Sequence, residues 1–280
     1  MNQMGEGSVA IIPSASETVR SRDTHFRFRQ DSDFSYLTGF PEPDAMAVLI
    51  PGRSQGQFIL FCRDKNIERE IWDGYREGPD GARENYGADD AFPIDDMDEI
   101  LPGLIEGREK IFFSVGKDDE LDQHLTQWLK HIRANARSGA SAPGEIVDPD
   151  HILHEMRLIK SAGEIKLMRK AAKISSEAHC RAMKAAKPGI SEYELQAEIE
   201  YHFARNGAPV PAYSSIVGSG ENACVLHYIE NRKQTEDGDL VLIDAGAEYE
   251  GYAADITRTF PINGKYTKEQ QALYEIVLEA

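Results

Sequence analysis

The sequence predicts two units in tandem: an α/β domain of alternating strands and helices, then a region of capped helices leading into a β-hairpin. Three observations carry this division. Residues 9 to about 133 alternate short apolar runs with an amphipathic pattern, as in an α/β layer fold. Residues 134–150 are rich in Ala, Gly, Ser and Pro, which interrupt regular structure. Beyond them lie two Ser-x-x-Glu capping boxes and a strand-turn-strand pattern. The expected boundaries are 1–133 for the first domain, 134–150 for a linker and 151–280 for the second.

In the first domain, strands are expected at 9–12, 45–50, 57–62 and 110–115, where apolar residues run together. A helix is expected over 118–133, because Leu121, Leu125, Trp128, Leu129 and Ile132 share one stripe. Trp72 lies in Glu70-Ile71-Trp72-Asp73-Gly74-Tyr75-Arg76. The commoner fate of a lone Trp is core packing.

In the second domain, Ser161 with Glu164 opens a helix whose stripe is Ile165, Met168, Ala172, Ser175 and His179, ending at Lys187-Pro188-Gly189. Ser191 with Glu194 opens another, carrying Leu195, Ile199 and Phe203 and ending at Asn206-Gly207. His151, His154, His179 and His202 are expected to be structural or surface residues, since none has a metal-binding partner at zinc-protease spacing. Gly218-Ser219-Gly220 lacks the spacing and the Lys of a phosphate loop.

The stretch 240–260 predicts a hairpin. Residues 240–243 form an apolar run, expected to be buried on both faces. A turn centred between Tyr249 and Glu250 would set Asp244 directly opposite Asp255, with Cβ atoms about 4.5–5.5 Å apart. Two carboxylates so close in an apolar setting need a cation or a shared proton. Gly251, Ala253, Thr257 and Thr259 share the face of Asp255 and leave room for ions and a substrate.

Asp244-Ala245-Gly246-Ala247-Glu248-Tyr249-Glu250-Gly251-Tyr252-Ala253-Ala254-Asp255-Ile256-Thr257-Arg258-Thr259-Phe260 resembles the first metal-ligand motif of the creatinase-like metallopeptidases, family M24, and within them the aminopeptidase P group. Residues 29–44, the stretch around Trp72, residues 154–161 and Tyr213 to Tyr228 resemble the same group. The resemblance implies a ribonuclease H-like α/β amino-terminal domain and part of an α+β pita-bread (creatinase/aminopeptidase) domain. It implies that Asp244 chelates one divalent ion and that Asp255 bridges two, commonly Mn2+. His227 matches a His that hydrogen-bonds the substrate or intermediate, and Trp72 matches a residue that could wall the site of a neighbouring subunit. The implied activity is release of the N-terminal residue from peptides with proline second, by a metal-bridging hydroxide, in a homo-oligomer (dimer or tetramer). A prolidase-type Xaa-Pro dipeptidase and a metal-free pita-bread module that binds peptides or proteins are the alternatives. A methionine aminopeptidase would leave the amino-terminal domain without a role.

The net charge of −17 and isoelectric point near 4.9 argue against nucleic acid or an anionic membrane as partner. Three scattered cysteines, Cys62, Cys180 and Cys224, suit a reducing compartment, and no signal peptide is visible. A cytoplasmic location is therefore expected. Residues 267–280 read as a helix without a stop signal. The family completes its site with one His and two Glu further along, so the chain is expected to be a fragment, inactive by itself.

Overall fold

The computed structural model describes all 280 residues and divides into two compact units, Met1–Ile159 and Lys160–Ala280. The first contains β1 (Ser8–Pro13), a small hairpin of β2 (Val19–Ser21) and β3 (Thr24–His25), α1 (Ser32–Thr38), β4 (Met46–Leu49), β5 (Phe58–Cys62), α2 (Ile67–Asp73), α3 (Gly78–Tyr86), β6 (Asp90–Pro93), α4 (Met97–Ile105), β7 (Lys110–Phe112), α5 (Asp119–Ala134), β8 (Glu145–Val147) and α6 (Asp150–Leu158). Six strands form one sheet in the order β6-β5-β4-β1-β7-β8. β4 pairs antiparallel with β1 and β5, and the outer pairings are parallel. Strand alternation sends Val9 and Ile11 to one face and Ala10 and Ile12 to the other. The first face packs against Leu101 and Ile105 of α4 and Leu125 and Trp128 of α5. The second packs against Phe34 of α1, Ala82 of α3 and Leu153 of α6. This is the expected α/β layer fold.

The division differs from the expected boundaries. β8 lies within 134–150 and adds a parallel edge strand to β7, while α6 inserts Leu153 into the core on the second face of that sheet. Composition alone reads such a segment as a linker. Its three-residue strand is held by ladder hydrogen bonds rather than by its own apolar content.

The second unit contains α7 (Ala162–Ala185), α8 (Glu192–Arg205), β9 (Ile216–Ser219), β10 (Leu240–Asp244), β11 (Glu248–Tyr249), β12 (Tyr252–Ala253), β13 (Thr257–Pro261) and α9 (Lys268–Glu279). Both expected capping boxes form, at Ser161 with Glu164 and Ser191 with Glu194. β9, β10 and β13 make an antiparallel sheet in the order β13-β10-β9. α7 and α8 cover one face, through Ile174, Ala178, Ala182, Leu195, Ile199 and Phe203. The buried stripe of α7 is therefore rotated from the expected one: Ala171, Ile174, Ser175, Ala178 and His179 are buried, whereas Ile165 is exposed. β10 also departs from expectation. Val241 and Ile243 are buried against the helices, while Leu240, Leu242 and Asp244 share the opposite, half-open face. No helix is long and apolar enough to cross a membrane.

Candidate metal centre

Asp244 is the last residue of β10. The turn of its hairpin lies at Glu250-Gly251, where both residues have positive φ (50° and 78°), as a two-residue type I′ turn requires. That is one residue later than the sequence suggested. The register moves by two positions: Asp244 pairs with Thr257, and Glu248 with Ala253. Asp255 consequently falls opposite Gly246. A Cβ at Gly246 would sit 1.6 Å from the Ala254 carbonyl oxygen, so only glycine lets the two strands close there. Because the shift is even, the two Asp residues keep one face of the ribbon and become diagonal rather than directly opposed.

They converge on Tyr213. Its hydroxyl lies 2.5 Å from Asp244 Oδ1 and 3.2 Å from Asp255 Oδ1. Burial and the hydrogen bond to Asp244 push the phenol well above its ordinary pKa, so it stays protonated and donates. One proton cannot neutralise two carboxylates, and the pair carries the excess negative charge that a cation offsets. The donors are hard oxygens, as Mg2+, Ca2+ or Mn2+ prefer. Asp255 is exposed and Asp244 half-buried, so ions and a ligand have access. These residues fit divalent cations.

α7 supports the ribbon from beneath. His179 is 2% exposed, and its Nε2 lies 3.0 Å from the Ala245 carbonyl. Burial holds its pKa below the ordinary value, so the ring is neutral and Nε2–H donates. Ser175 Oγ accepts from the Ala247 N–H at 2.9 Å. The link between Asp244 and the turn is thus fixed at both flanks of Gly246.

Neither of the other expected site residues hydrogen-bonds this pair. His227 is exposed on the irregular segment after β9, and no hydrogen bond joins it to either Asp. Trp72 lies on α2 of the first unit and is 84% exposed, beside exposed Ile71 and Tyr75, so core packing is not its fate. The sequence assigns no chemical role to Tyr213 or His179. Tyr213 opens a stretch that resembles the aminopeptidase P group, but it lies 31 and 42 positions from its two partners, and no spacing joins it to them. In the first unit, ligand atoms of Asp33, Asp150 and His154 lie within 4.8 Å of one another. Arg157 pairs with Asp33 at 2.5 Å and Lys117 with Asp150 at 2.8 Å, so cations already neutralise this group.

Comparison with known proteins gives a consistent result. Residues 166–280 match the model of metallopeptidase family M24, and residues 1–112 that of the aminopeptidase P N-terminal domain. An Xaa-Pro aminopeptidase of Escherichia coli is 45% identical over 281 residues, covering 100% of this chain and 64% of the relative. The structure of Pseudomonas aeruginosa aminopeptidase PepP superposes with a TM-score of 0.98 at 56% identity, over 99% of this chain and 63% of that one. Zn-substituted E. coli aminopeptidase P in complex with product gives 0.96 at 46%, over 99% and 63%. The chain thus spans slightly under two thirds of the length of these relatives.

Proposed function

We propose that this chain, which belongs to metallopeptidase family M24, forms part of an exopeptidase that releases the N-terminal residue from peptides with proline in second position. The observation that carries the reading is the convergence of Asp244 and Asp255 on one hydroxyl. Asp244 would chelate one divalent ion and Asp255 bridge two, Mn2+ being the expected metal. Bound ions supply Lewis acidity and lower the pKa of water. Tyr213 orients both carboxylates and, remaining a donor, keeps them from swinging apart. His227, exposed and able to donate from its ring, would stabilise negative charge developing on the scissile carbonyl oxygen.

The bond before proline is a tertiary amide without an N–H. A site that binds the carbonyl and the free amine, rather than that N–H, suits it. The net charge of −17 favours a protonated amine over an anionic ligand. Trp72, with Ile71 and Tyr75, would meet a neighbouring subunit in a homo-oligomer. Three unpaired cysteines support a cytoplasmic setting. The amino-terminal sheet is taken as the ribonuclease H-like domain of this group.

The test is a substrate panel assayed on the full-length enzyme with Mn2+. Release of the first residue from an Xaa-Pro-Xaa tripeptide, abolished by a chelator, is expected. Cleavage confined to Xaa-Pro dipeptides would make it a dipeptidase, and tight peptide binding without metal uptake would make it a binding module. Two carboxylates are few donors for two ions, so the 280 residues by themselves are expected to turn over no peptide.

A further inference from the structure

Glu192 is a carboxylate with no exposed surface at all, and nothing in the proposed chemistry uses it. It is the first residue of α8. Its Oε1 accepts from the Ser219 N–H and Oγ, each at 2.8 Å, and from Asn222 Nδ2 at 3.2 Å. Its Oε2 accepts from the Tyr228 hydroxyl at 2.8 Å and the Lys233 N–H at 2.9 Å. Five donors on one side chain compensate a charge that burial would otherwise penalise heavily.

These donors come from two places: the end of β9 with the turn after it, and the segment that carries His227. β9 is an edge strand, so the N–H groups on its outer side have no strand partner. Glu192 takes the Ser219 N–H, and Asn231 Oδ1 takes the Val217 N–H at 3.0 Å. Asn231 is 1% exposed and has φ of 50°. Its Nδ2 donates to the Ser215 carbonyl and to Gln196 Oε1, both at 2.8 Å. Side chains therefore stand where a further strand would pair, and they tie 228–233 to β9 at both ends. Ile229 inside that tether is 56% exposed, and Leu226 beside His227 is 90% exposed, so apolar packing does not hold the segment. The polar anchor does.

We propose that Glu192 is the positioning residue for His227. Through the Tyr228 hydroxyl and the Lys233 amide it fixes the segment against β9 and so sets where the His227 ring stands. The proposal rests on the reading of His227 as a group that acts on substrate, and its test separates the two. Tyr228→Phe removes one hydroxyl at a half-buried position and should fold. Glu192→Gln keeps the oxygen facing Ser219 and presents NH2 to the Lys233 N–H, breaking the second half of the anchor.

In the 280-residue chain, both variants should speed amide exchange over 225–231 and sharpen the 15N ring resonances of His227, with β10 amides unchanged. An unaltered His227 ring in both would overturn the positioning, whatever the enzyme does. In the full-length protein, Tyr228→Phe should lower kcat about tenfold or more, as a misplaced group does, with metal content unchanged. Added to His227→Ala, it should cost nothing further, because both act through one group. Full additivity in that double variant would overturn the proposal. A normal rate for His227→Ala alone would instead remove the reading of His227, while the exchange and ring data still decide the anchor.

Discussion

The two sheets of this chain treat neighbouring strand residues differently. In β1 of the first unit, Val9 and Ile11 enter one core and Ala10 and Ile12 the other. In β10 of the second unit, Val241 and Ile243 enter a core while Leu242 and Asp244 stay half-open. The interior strands of a sheet covered by helices on both faces have no place for a carboxylate, since a buried unpaired charge is costly. A sheet covered on one face can carry its stability there and its chemistry on the other. The difference locates the candidate metal centre in the second unit by physical exclusion as well as by motif.

The largest effect is expected from the open face. Asp255→Asn should strip metal and cost several kcal/mol of transition-state stabilisation, about a thousandfold in kcat. The metal-free protein should lose no stability, because one of two diagonally neighbouring like charges is gone. Full metal content with normal turnover would remove Asp255 from the site.

Next comes packing. Ile11→Ala, fully buried between strand and helix layers, should cost about 2–5 kcal/mol in urea unfolding. Leu242→Ala, half-buried, should cost about 1 kcal/mol, in proportion to the area it removes from contact. Equal losses would mean that the second face of β10 is covered in solution. Tyr213→Phe should cost about 1.5–3 kcal/mol in the metal-free protein, the worth of a hydrogen bond to a charged group. No change in stability or metal affinity would show that the hydroxyl does not organise the pair.

The effects smallest at neutral pH are pH-dependent and separate the units by sign. Burial raises the Cys62 thiol from 9.0 to about 12. The unfolded chain loses that proton first, so the first unit should lose stability as pH rises from about 9 towards 12. Burial lowers His179 below its ordinary 6.5. The unfolded chain gains that proton first, so the second unit should lose stability as pH falls below 6.5. Cys62→Ala and His179→Gln should each flatten one limb of the profile only. Thiol titration offers a simpler check: Cys180 and Cys224 are exposed and should react in the native protein, Cys62 only on unfolding.

Much of the scaffold was legible in the residues. The apolar runs of β1, β4 and β5, the stripe of α5 and the capping boxes of α7 and α8 are local features, and each formed. α1, α2, α3 and α4 were not read from the sequence. They are short, seven to nine residues long, and α2 buries nothing that would give it a stripe. The composition around β8 reads as linker because a parallel edge strand borrows its order from β7. At the site, Asp244 and Asp255 were legible as a pair on one face. Their direct opposition was not correct, because the turn depends on where the chain takes positive φ, and Glu250 gives little sign that it does.

By itself, then, the sequence determined what depends on residues near one another: helix starts, apolar strands, and two acids spaced to share a ribbon face. The tertiary structure decided the rest. It set the register through the Glu250-Gly251 turn, brought Tyr213 onto both carboxylates, placed His179 and Ser175 beneath Gly246, and left one face of β10 open. Each of these depends on groups from distant segments meeting in space, and hydrogen bonds and burial of that kind are fixed by packing, not by any local pattern.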